Sequence, residues 1–353
     1  MRYVSMEKVE PGMVLGKSVY DEADRVLLGA ANILTRDFID KLEIRGFQGL
    51  YIDDEISKGI NIEETISVEL RNRGAKSVKE CNIDVSLDVA KSIVDQMISS
   101  KSISLDLIDL RTFDDYTYRH SVNVAVLCTV IGIGMNLNQK ELVELCAAAI
   151  FHDLGKLQVP DEILNKPARL TTEEYEIIKE HPRLSYDIIK GRWDISARTK
   201  VGVLHHHENE DGSGYPDGLV SNQIYLYAKI IHVADVYDAL TSKRPYKKPY
   251  ALSDAAEYLM TGYGVLFDEK VVEAFLKYVP IYPKGMEVVL SDGREGIIAE
   301  NTTNTLRPKV RLLDGTEIDL NDGVSYRNII LYANDEDHET DFSNDKNYNS
   351  KKD

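Results

Sequence analysis

Residues 142–156 read LVELCAAAIFHDLGK, an apolar helix that runs into a histidine and an aspartate. Neighbouring residues on a helix point about 100° apart, so His152 and Asp153 can reach one cavity. The two oxygens of an aspartate can bridge two metal ions. Lys156 adds an ammonium close by, which indicates an anionic substrate. A His-Asp pair by itself is equally typical of a capped helix end, so the interpretation depends on further ligands.

Those ligands are sought among the histidines, because seven of the eight lie between His120 and His232. The run 205–208, HHHE, predicts at least two ligands, since three consecutive histidines are rarely all core residues. Asp235 lies in an apolar helix, where a buried carboxylate is costly unless it meets a metal or a cation. Histidine and carboxylate, with no cysteine nearby, suit first-row divalent metals such as iron, manganese and zinc.

Composition excludes two classes of partner. The chain of 353 residues has 42 Lys and Arg against 59 Asp and Glu, a net charge of −17. It therefore has no general attraction for nucleic acid or an anionic membrane. Cysteines 81, 128 and 146 are an odd number without zinc-like spacing, which indicates a reducing, cytoplasmic compartment. The longest apolar run, 122–135, is shorter than the ~20 residues that span a bilayer, and we expect no targeting segment.

The patterns along the chain predict a mainly α protein with small β-containing modules at both ends. A helical pattern from 35 to 45 lies among short β-like runs, and Asp-Gly pairs at 292–293 and 314–315 predict turns between strands. The predicted units are a small α/β module at 1–60, a helical linker at 61–101, an all-helical domain at 102–280, a small β module at 281–333 and a disordered acidic tail at 334–353.

An apolar stripe follows the helix predicted near the end of the linker. Val85, Val89, Ile93 and Met97 recur every four residues and line one face. We expect a packing helix, and the alternative is a homodimer formed through helix 84–100.

Five short motifs, in order, resemble those of the HD-GYP family, a branch of the HD-superfamily metal phosphohydrolases that hydrolyse cyclic di-GMP. They are YTYRHS at 116–121, HDLGK at 152–156, HP at 181–182, HHE at 206–208 followed by DGSGYP at 211–216, and ADVYDALTSKRPY at 234–246. The resemblance implies an all-helical HD-type metallohydrolase core.

The resemblance also implies a set of metal ligands: His120, His152, Asp153, His181, His206, His207 and Asp235. Asp153 would bridge two divalent ions, iron or manganese. Relatives with a third metal carry a glutamate where this chain has Tyr116, so two ions are expected. Ser185 stands where the family often has glycine, a change that removes no ligand.

For catalysis, the resemblance implies that a hydroxide bridging the metals attacks phosphorus, giving linear pGpG and then GMP. Asp153 and Lys156 would be the catalytic side chains, with Lys156 offsetting charge on the phosphate. The expected substrate contacts are Lys156, Gly214, Tyr215, Pro216, Arg244 and Lys247.

Several residues and roles stay open at this point. Glu208 and Asp211 are either acceptors that fix the histidine tautomers or solvated loop carboxylates. His205 should point away from the ligand pair, and His232 is expected to be a core or supporting histidine. The alternative functions are a non-catalytic cyclic di-GMP sensor, acting through signalling protein partners, and another nucleotide phosphohydrolase of the HD superfamily.

Overall fold

The computed structural model describes residues 1–333 apart from 22–24, 48, 100–115, 167, 243–248, 324 and 326–329. The side chains of 116–117 and 331–333 are also outside the description. Arg244, Lys247, the side chain of Tyr116 and the predicted tail 334–353 therefore lie outside the described residues.

The N-terminal module combines short strands with one helix. Its elements are β1 (Arg2–Ser5), β2 (Val14–Leu15), β3 (Val19–Tyr20), β4 (Val26–Leu28), α1 (Arg36–Ile44) and β5 (Gly49–Asp53). The antiparallel sheet has the order β1-β5-β2, and β3 pairs with β4. Thr35 caps α1 by accepting the N–H of Phe38, and Gly46 follows the helix with a φ of +82°.

Helices form the centre of the molecule. They are α2 (Val68–Lys79), α3 (Ile83–Ser99), α4 (Tyr116–Gly134), α5 (Gln139–Phe151), α6 (Asp161–Leu164), α7 (Thr172–Lys179), α8 (His181–Ile189), α9 (Ala197–Leu204), α10 (Leu226–Thr241), α11 (Leu252–Thr261) and α12 (Glu269–Tyr278). Helix α4 packs against α2, α5, α10 and α12, and α5 packs against α3 and α9. The predicted fold class, mainly α with small β modules, is confirmed.

The apolar stripe of α3 is buried inside this chain. Val89 and Ile93 are fully buried and Met97 nearly so, within the core that α4 and α5 also build. These side chains are not available to a second copy, so the stripe is that of a packing helix and the homodimer through 84–100 is not supported. The predicted linker thus contributes two helices, α2 and α3, that pack on the helical core.

The C-terminal module is an antiparallel sheet of five strands with the order β10-β6-β7-β8-β9. Its strands are β6 (Glu287–Leu290), β7 (Glu295–Glu300), β8 (Lys309–Leu312), β9 (Glu317–Asp319) and β10 (Ile330–Ala333). Gly293 and Gly315 have φ values of +84° and +87°, which fits the predicted Asp-Gly turns.

The two terminal modules meet. The Tyr3 N–H donates to the Gly285 carbonyl oxygen at 2.8 Å, and the Arg2 guanidinium bonds both Asp54 and Glu287. Arg311 reaches across from β8 to donate to the Lys58 carbonyl at 2.6 Å. In the described part of the chain, no helix has the length and apolar character needed to cross a membrane.

Candidate metal centre

Five separate segments of the helical domain bring the predicted ligands together. His120 is on α4, and His152 and Asp153 follow α5. His181 is the first residue of α8, His206 and His207 follow α9, and Asp235 is on α10. All seven side chains are buried or nearly so, as expected for a site assembled inside a helix bundle.

A close backbone approach sets the distance between the turn after α5 and the start of α8. A Cβ atom at Gly155 would lie 2.1 Å from the His181 carbonyl oxygen, so only glycine fits there. The Ser185 hydroxyl fastens the same junction: it accepts the Gly155 N–H and donates to the His152 carbonyl, both at 2.7 Å. The serine found in place of the family's usual glycine therefore adds a bond between the two elements and removes no ligand.

On one side, the Asp153 carboxylate faces two histidines through Oδ2. This oxygen lies 3.7 Å from His120 Nε2 and 3.4 Å from His152 Nε2. Asp235 Oδ1 completes the group at 2.9 Å from His120 Nε2 and 3.9 Å from His152 Nε2. This half of the centre thus gathers two imidazole nitrogens and two carboxylates.

The other oxygen of Asp153 faces a second group of histidines. Oδ1 lies 3.2 Å from His181 Nε2, which is 3.3 Å from His206 Nε2. The ring of His207 packs edge-on against His181, with centroids 4.9 Å apart. The ligand atoms of His181, His206 and His207 all lie within 4.8 Å of one another. Asp153 therefore stands between two clusters of donors, with one oxygen toward each.

The orientation of four of these histidines is fixed through Nδ1. In His152, His181 and His206 this nitrogen donates to the backbone carbonyl of another residue at 2.7 Å. In His120 it donates to the Asp238 carboxylate, also at 2.7 Å. With Nδ1 engaged in this way, Nε2 is the coordinating nitrogen. Sequence reasoning missed Asp238. The signal was present, because a second aspartate three residues after Asp235 on an apolar helix shares its face.

The donor set fits divalent metal ions. His152 Nε2 is buried and has no hydrogen-bond partner among the described residues, an arrangement that is costly unless the nitrogen binds something else. The donors around it are imidazole nitrogens and carboxylate oxygens within 4.8 Å of one another. Iron, manganese and zinc accept such ligands, whereas thiolate-rich sites do not use them.

The electrostatics keep most of these groups in the form that binds a metal. Burial opposes ionisation of Asp153, but His152 and Lys156 outweigh it and hold the carboxyl pKa well below its usual range. Burial and the neighbouring imidazoles hold the pKa values of His206 and His207 well below the ordinary value. Burial also disfavours the charged form of His120, yet its bonds to Asp235 and Asp238 raise that pKa to about 9.

Lys156 lies directly beside the central carboxylate. Its Nζ is 2.5 Å from Asp153 Oδ2, and about a quarter of its side chain is exposed. A cation in this position stabilises the ionised aspartate.

Tyr215 forms a wall next to the second cluster. Its ring stacks on that of His207, with centroids 4.7 Å apart and an angle of 26°, and its N–H donates to the His207 carbonyl at 3.1 Å. Pro216 follows Tyr215 in the same loop. A Cβ atom at Gly214 would lie 2.4 to 2.5 Å from backbone atoms of 207–209, so the loop folds tightly onto the ligand segment.

The structure places the two acidic residues whose roles the sequence left open. The Glu208 carboxylate accepts the backbone N–H groups of Asp217 and Leu219, and Asp211 accepts the backbone and hydroxyl of Ser213. Neither carboxylate fixes a histidine tautomer. Both carboxylates are instead bonded to groups of the loop.

The two histidines left out of the ligand set have other contacts. His205 points away from the centre and bonds Asp217 at 3.0 Å. His232 donates to the Glu208 carbonyl at 2.9 Å and packs on Phe267. Burial lowers the pKa of His232 to about 4. These positions agree with the expectations for both residues.

Comparison with known proteins identifies the helical domain. Residues 102–271 match the family model described as "HD domain". This part of the chain is similar to the HD domain. The HD-type core implied by the sequence motifs is thereby confirmed.

Curated proteins are similar in sequence to parts of this chain. Over 228 residues the chain is 40% identical to "Cyclic di-GMP phosphodiesterase PA4108" of Pseudomonas aeruginosa, which covers 63% of this chain and 55% of that protein. Over 146 residues it is 42% identical to "Cyclic di-GMP phosphodiesterase response regulator RpfG" of Xanthomonas campestris, covering 41% of this chain and 38% of that protein. The chain thus spans about half the length of the curated relatives it matches.

A solved structure shares the fold. "Bd1817, a HDG"Y"P protein from Bdellovibrio bacteriovorus" is 15% identical, with a TM-score of 0.51 over 77% of this chain and 97% of that one. At this identity the likeness concerns the fold alone.

Proposed function

We propose that this chain is a metal-dependent phosphodiesterase that hydrolyses cyclic di-GMP to linear pGpG, and pGpG further to GMP. The observation that carries the proposal is the Asp153 carboxylate, which presents one oxygen to each of two clusters of buried donors. The names of the relatives, which share 40% and 42% of their aligned residues with it, support the choice of substrate.

Two divalent ions, iron or manganese, are proposed as the cofactors, and each of the two clusters would hold one ion. His120, His152 and Asp235 would hold one, and the second would be held by His181, His206 and His207, with Asp153 shared. When bound, such ions supply Lewis-acid stabilisation of a phosphoryl group and a hydrolytic nucleophile at neutral pH. The ligand histidines offer Nε2 because their Nδ1 atoms are already bonded, as described above.

The remaining residues of the chain would bind and orient the dinucleotide. Lys156 lies beside Asp153 and is partly exposed, so its ammonium would offset charge on the non-bridging oxygens of the scissile phosphate. The Tyr215 ring and the backbone of Gly214 and Pro216 would form the wall that receives the rest of the molecule. Arg244 and Lys247 remain proposed substrate contacts from the sequence.

Hydrolysis of one phosphodiester breaks one P–O bond of the ring. The hydroxyl of water joins phosphorus and its proton goes to the departing 3′-oxygen, so that pGpG carries a 5′-phosphate and a free 3′-hydroxyl. The proposed place of this reaction is the cytoplasm, since the cysteines Cys81, Cys128 and Cys146 are all free thiols.

The experiment is direct turnover by protein purified anaerobically and loaded with Mn²⁺ or Fe²⁺. We expect conversion of cyclic di-GMP to pGpG, followed by chromatography, and no conversion by Asp153→Ala. Cyclic di-AMP and pyrophosphorylated guanosine nucleotides serve as competing substrates. Binding of cyclic di-GMP without turnover in the loaded wild type would favour the sensor, and preferred hydrolysis of another nucleotide would favour a different HD phosphohydrolase.

A further inference from the structure

Glu208 carries a buried carboxylate that is satisfied entirely by backbone. The residue is 2% exposed, and its two oxygens accept the N–H groups of Asp217 at 2.7 Å and Leu219 at 2.9 Å. Within the part of the chain that the structure describes, no cationic side chain pairs with it. Burying a carboxylate is costly, and charge-assisted bonds to two N–H groups are what offset that cost.

The segment closed by these two bonds is the loop 209–219, which contains Gly214 and Tyr215. Glu208 directly follows the ligand His207 in sequence, and its carboxylate bonds the far end of the loop. Glu208 therefore connects the metal centre to that end of the loop. Between these ends the chain folds back until the Tyr215 N–H reaches the His207 carbonyl and the two rings stack. The position of the tyrosine wall thus depends on the closure of this loop.

The other side-chain ion pairs of the loop lie at its start or at the surface, and backbone bonds join 210–211 to 220–221. Glu210 pairs with the buried Lys229 and holds the first residues of the loop against α10. Asp217 pairs with Arg183 and His205, but the Asp217 and Arg183 side chains are 36% and 46% exposed, where ion pairs contribute little. Glu208 is therefore the buried tie on the end of the loop that follows Tyr215.

We propose that Glu208 is a positioning residue: by clamping the N–H groups of Asp217 and Leu219 it holds Tyr215 flat on His207 and shapes the site for a cyclic dinucleotide. It contacts neither the proposed ions nor the substrate. The inference rests on the proposed function, because it assigns Tyr215 to the wall of that substrate site. The clamp itself exists whatever the substrate is.

The test compares two phosphodiesters in the full-length, manganese-loaded protein. Cyclic di-GMP needs both the metal centre and the wall, whereas bis(4-nitrophenyl) phosphate is small enough to need mainly the centre. Glu208→Gln offers one acceptor oxygen and turns an NH₂ group toward the other backbone donor. Glu208→Asp keeps the charge but is one methylene too short to reach both. Glu174→Gln is the matched control, since that exposed carboxylate also accepts a backbone N–H, from Thr171 at 2.7 Å.

We expect both Glu208 variants to keep the metal content of the wild type. The ratio of kcat/KM for cyclic di-GMP to that for the small diester should fall at least about tenfold, equivalent to about 1.4 kcal/mol, mainly through KM for the dinucleotide. The control should keep the wild-type ratio. An unchanged ratio in the folded Glu208 variants would overturn the proposal, and so would loss of metal together with equal loss of both activities.

Amide hydrogen exchange tests the clamp without any substrate. In the wild type, the N–H groups of Asp217 and Leu219 should exchange at least tenfold more slowly than loop amides bonded only to water, and this protection should be lost in Glu208→Gln. Rapid exchange of both amides in the wild type would refute the clamp, even if the variants failed to fold. If cyclic di-GMP is not hydrolysed at all while the amides are protected, the proposed function fails and the clamp stands.

Discussion

Gly155→Ala tests whether the contact between the turn after α5 and α8 sets the geometry of the centre. The added Cβ would lie 2.1 Å from the His181 carbonyl oxygen and 2.7 Å from the Ser185 nitrogen, where real contacts stay at 3.0 Å or more. The two segments must therefore separate by at least about 0.9 Å, since a packed interior has no free space to absorb the methyl group. The backbone at 155 is not left-handed, so the effect is steric.

His181 lies on the moving segment, and its Nε2 is 3.2 Å from Asp153. A displacement of about 1 Å at a reacting centre costs roughly 100-fold in rate, and overpacking costs about 1–3 kcal/mol of unfolding free energy. We expect both losses, measured as kcat for cyclic di-GMP and by urea unfolding, with reduced metal content by mass spectrometry. Gly191→Ala is the control, because nothing lies within 4 Å of its Cβ. Turnover and metal content of Gly155→Ala matching those of the control would refute the reasoning.

Three further changes test other parts of the site. Lys156→Met should leave metal content intact while slowing turnover, because its ammonium is assigned to the substrate phosphate; loss of metal would instead assign the lysine to holding Asp153. Burial lowers the pKa of His232 to about 4. Below pH 6.5 this histidine therefore binds a proton in the unfolded chain but stays neutral in the native protein. The free energy of unfolding should then fall as the pH is lowered toward 4. Between pH 7 and 5 the wild type should lose roughly 2 kcal/mol more than His232→Gln in urea unfolding, and equal losses would contradict this assignment. Tyr116 lies one helical turn before His120, so Tyr116→Glu should add a third ion to the wild-type two; a third ion already present in the wild type would count against the dinuclear centre.

Much of the centre could be predicted because its chemistry is local in sequence. His152-Asp153 and His206-His207 are adjacent pairs, and Asp235 is conspicuous as a carboxylate in an apolar helix. The resemblance to the HD-GYP family predicts that these residues lie close together in the folded protein. The residues themselves could not have shown that Asp153 presents one oxygen to each cluster, because that depends on the packing of five segments.

What sequence reasoning missed depends on contacts between distant residues. Asp238 bonds His120 from 118 positions away, and nothing in the spacing indicates which histidine it would reach. The sequence left Glu208 open between an acceptor for a histidine and a solvated carboxylate, because its bonds to the N–H groups of Asp217 and Leu219 depend on how the loop closes.

In the fold, too, local features could be predicted from the sequence, whereas features that depend on contacts between distant residues could not. Helix α1 follows from periodicity and lies within about two residues of the predicted range 35–45, and the turns at Gly293 and Gly315 follow from the Asp-Gly pairs. The stripe of α3 allowed two interpretations, since an apolar face can pack within one chain or against another. The packing of α3 on α2 and α5, with Val89 and Ile93 fully buried, decides between them.

Anomalous diffraction from crystals of the manganese-loaded wild type tests the central claim most directly, because it counts the ions and locates each one. The account predicts two peaks per chain, one among His120, His152 and Asp235 and the other among His181, His206 and His207, with Asp153 between them. A single peak, or two peaks on the same side of the Asp153 carboxylate, would contradict it.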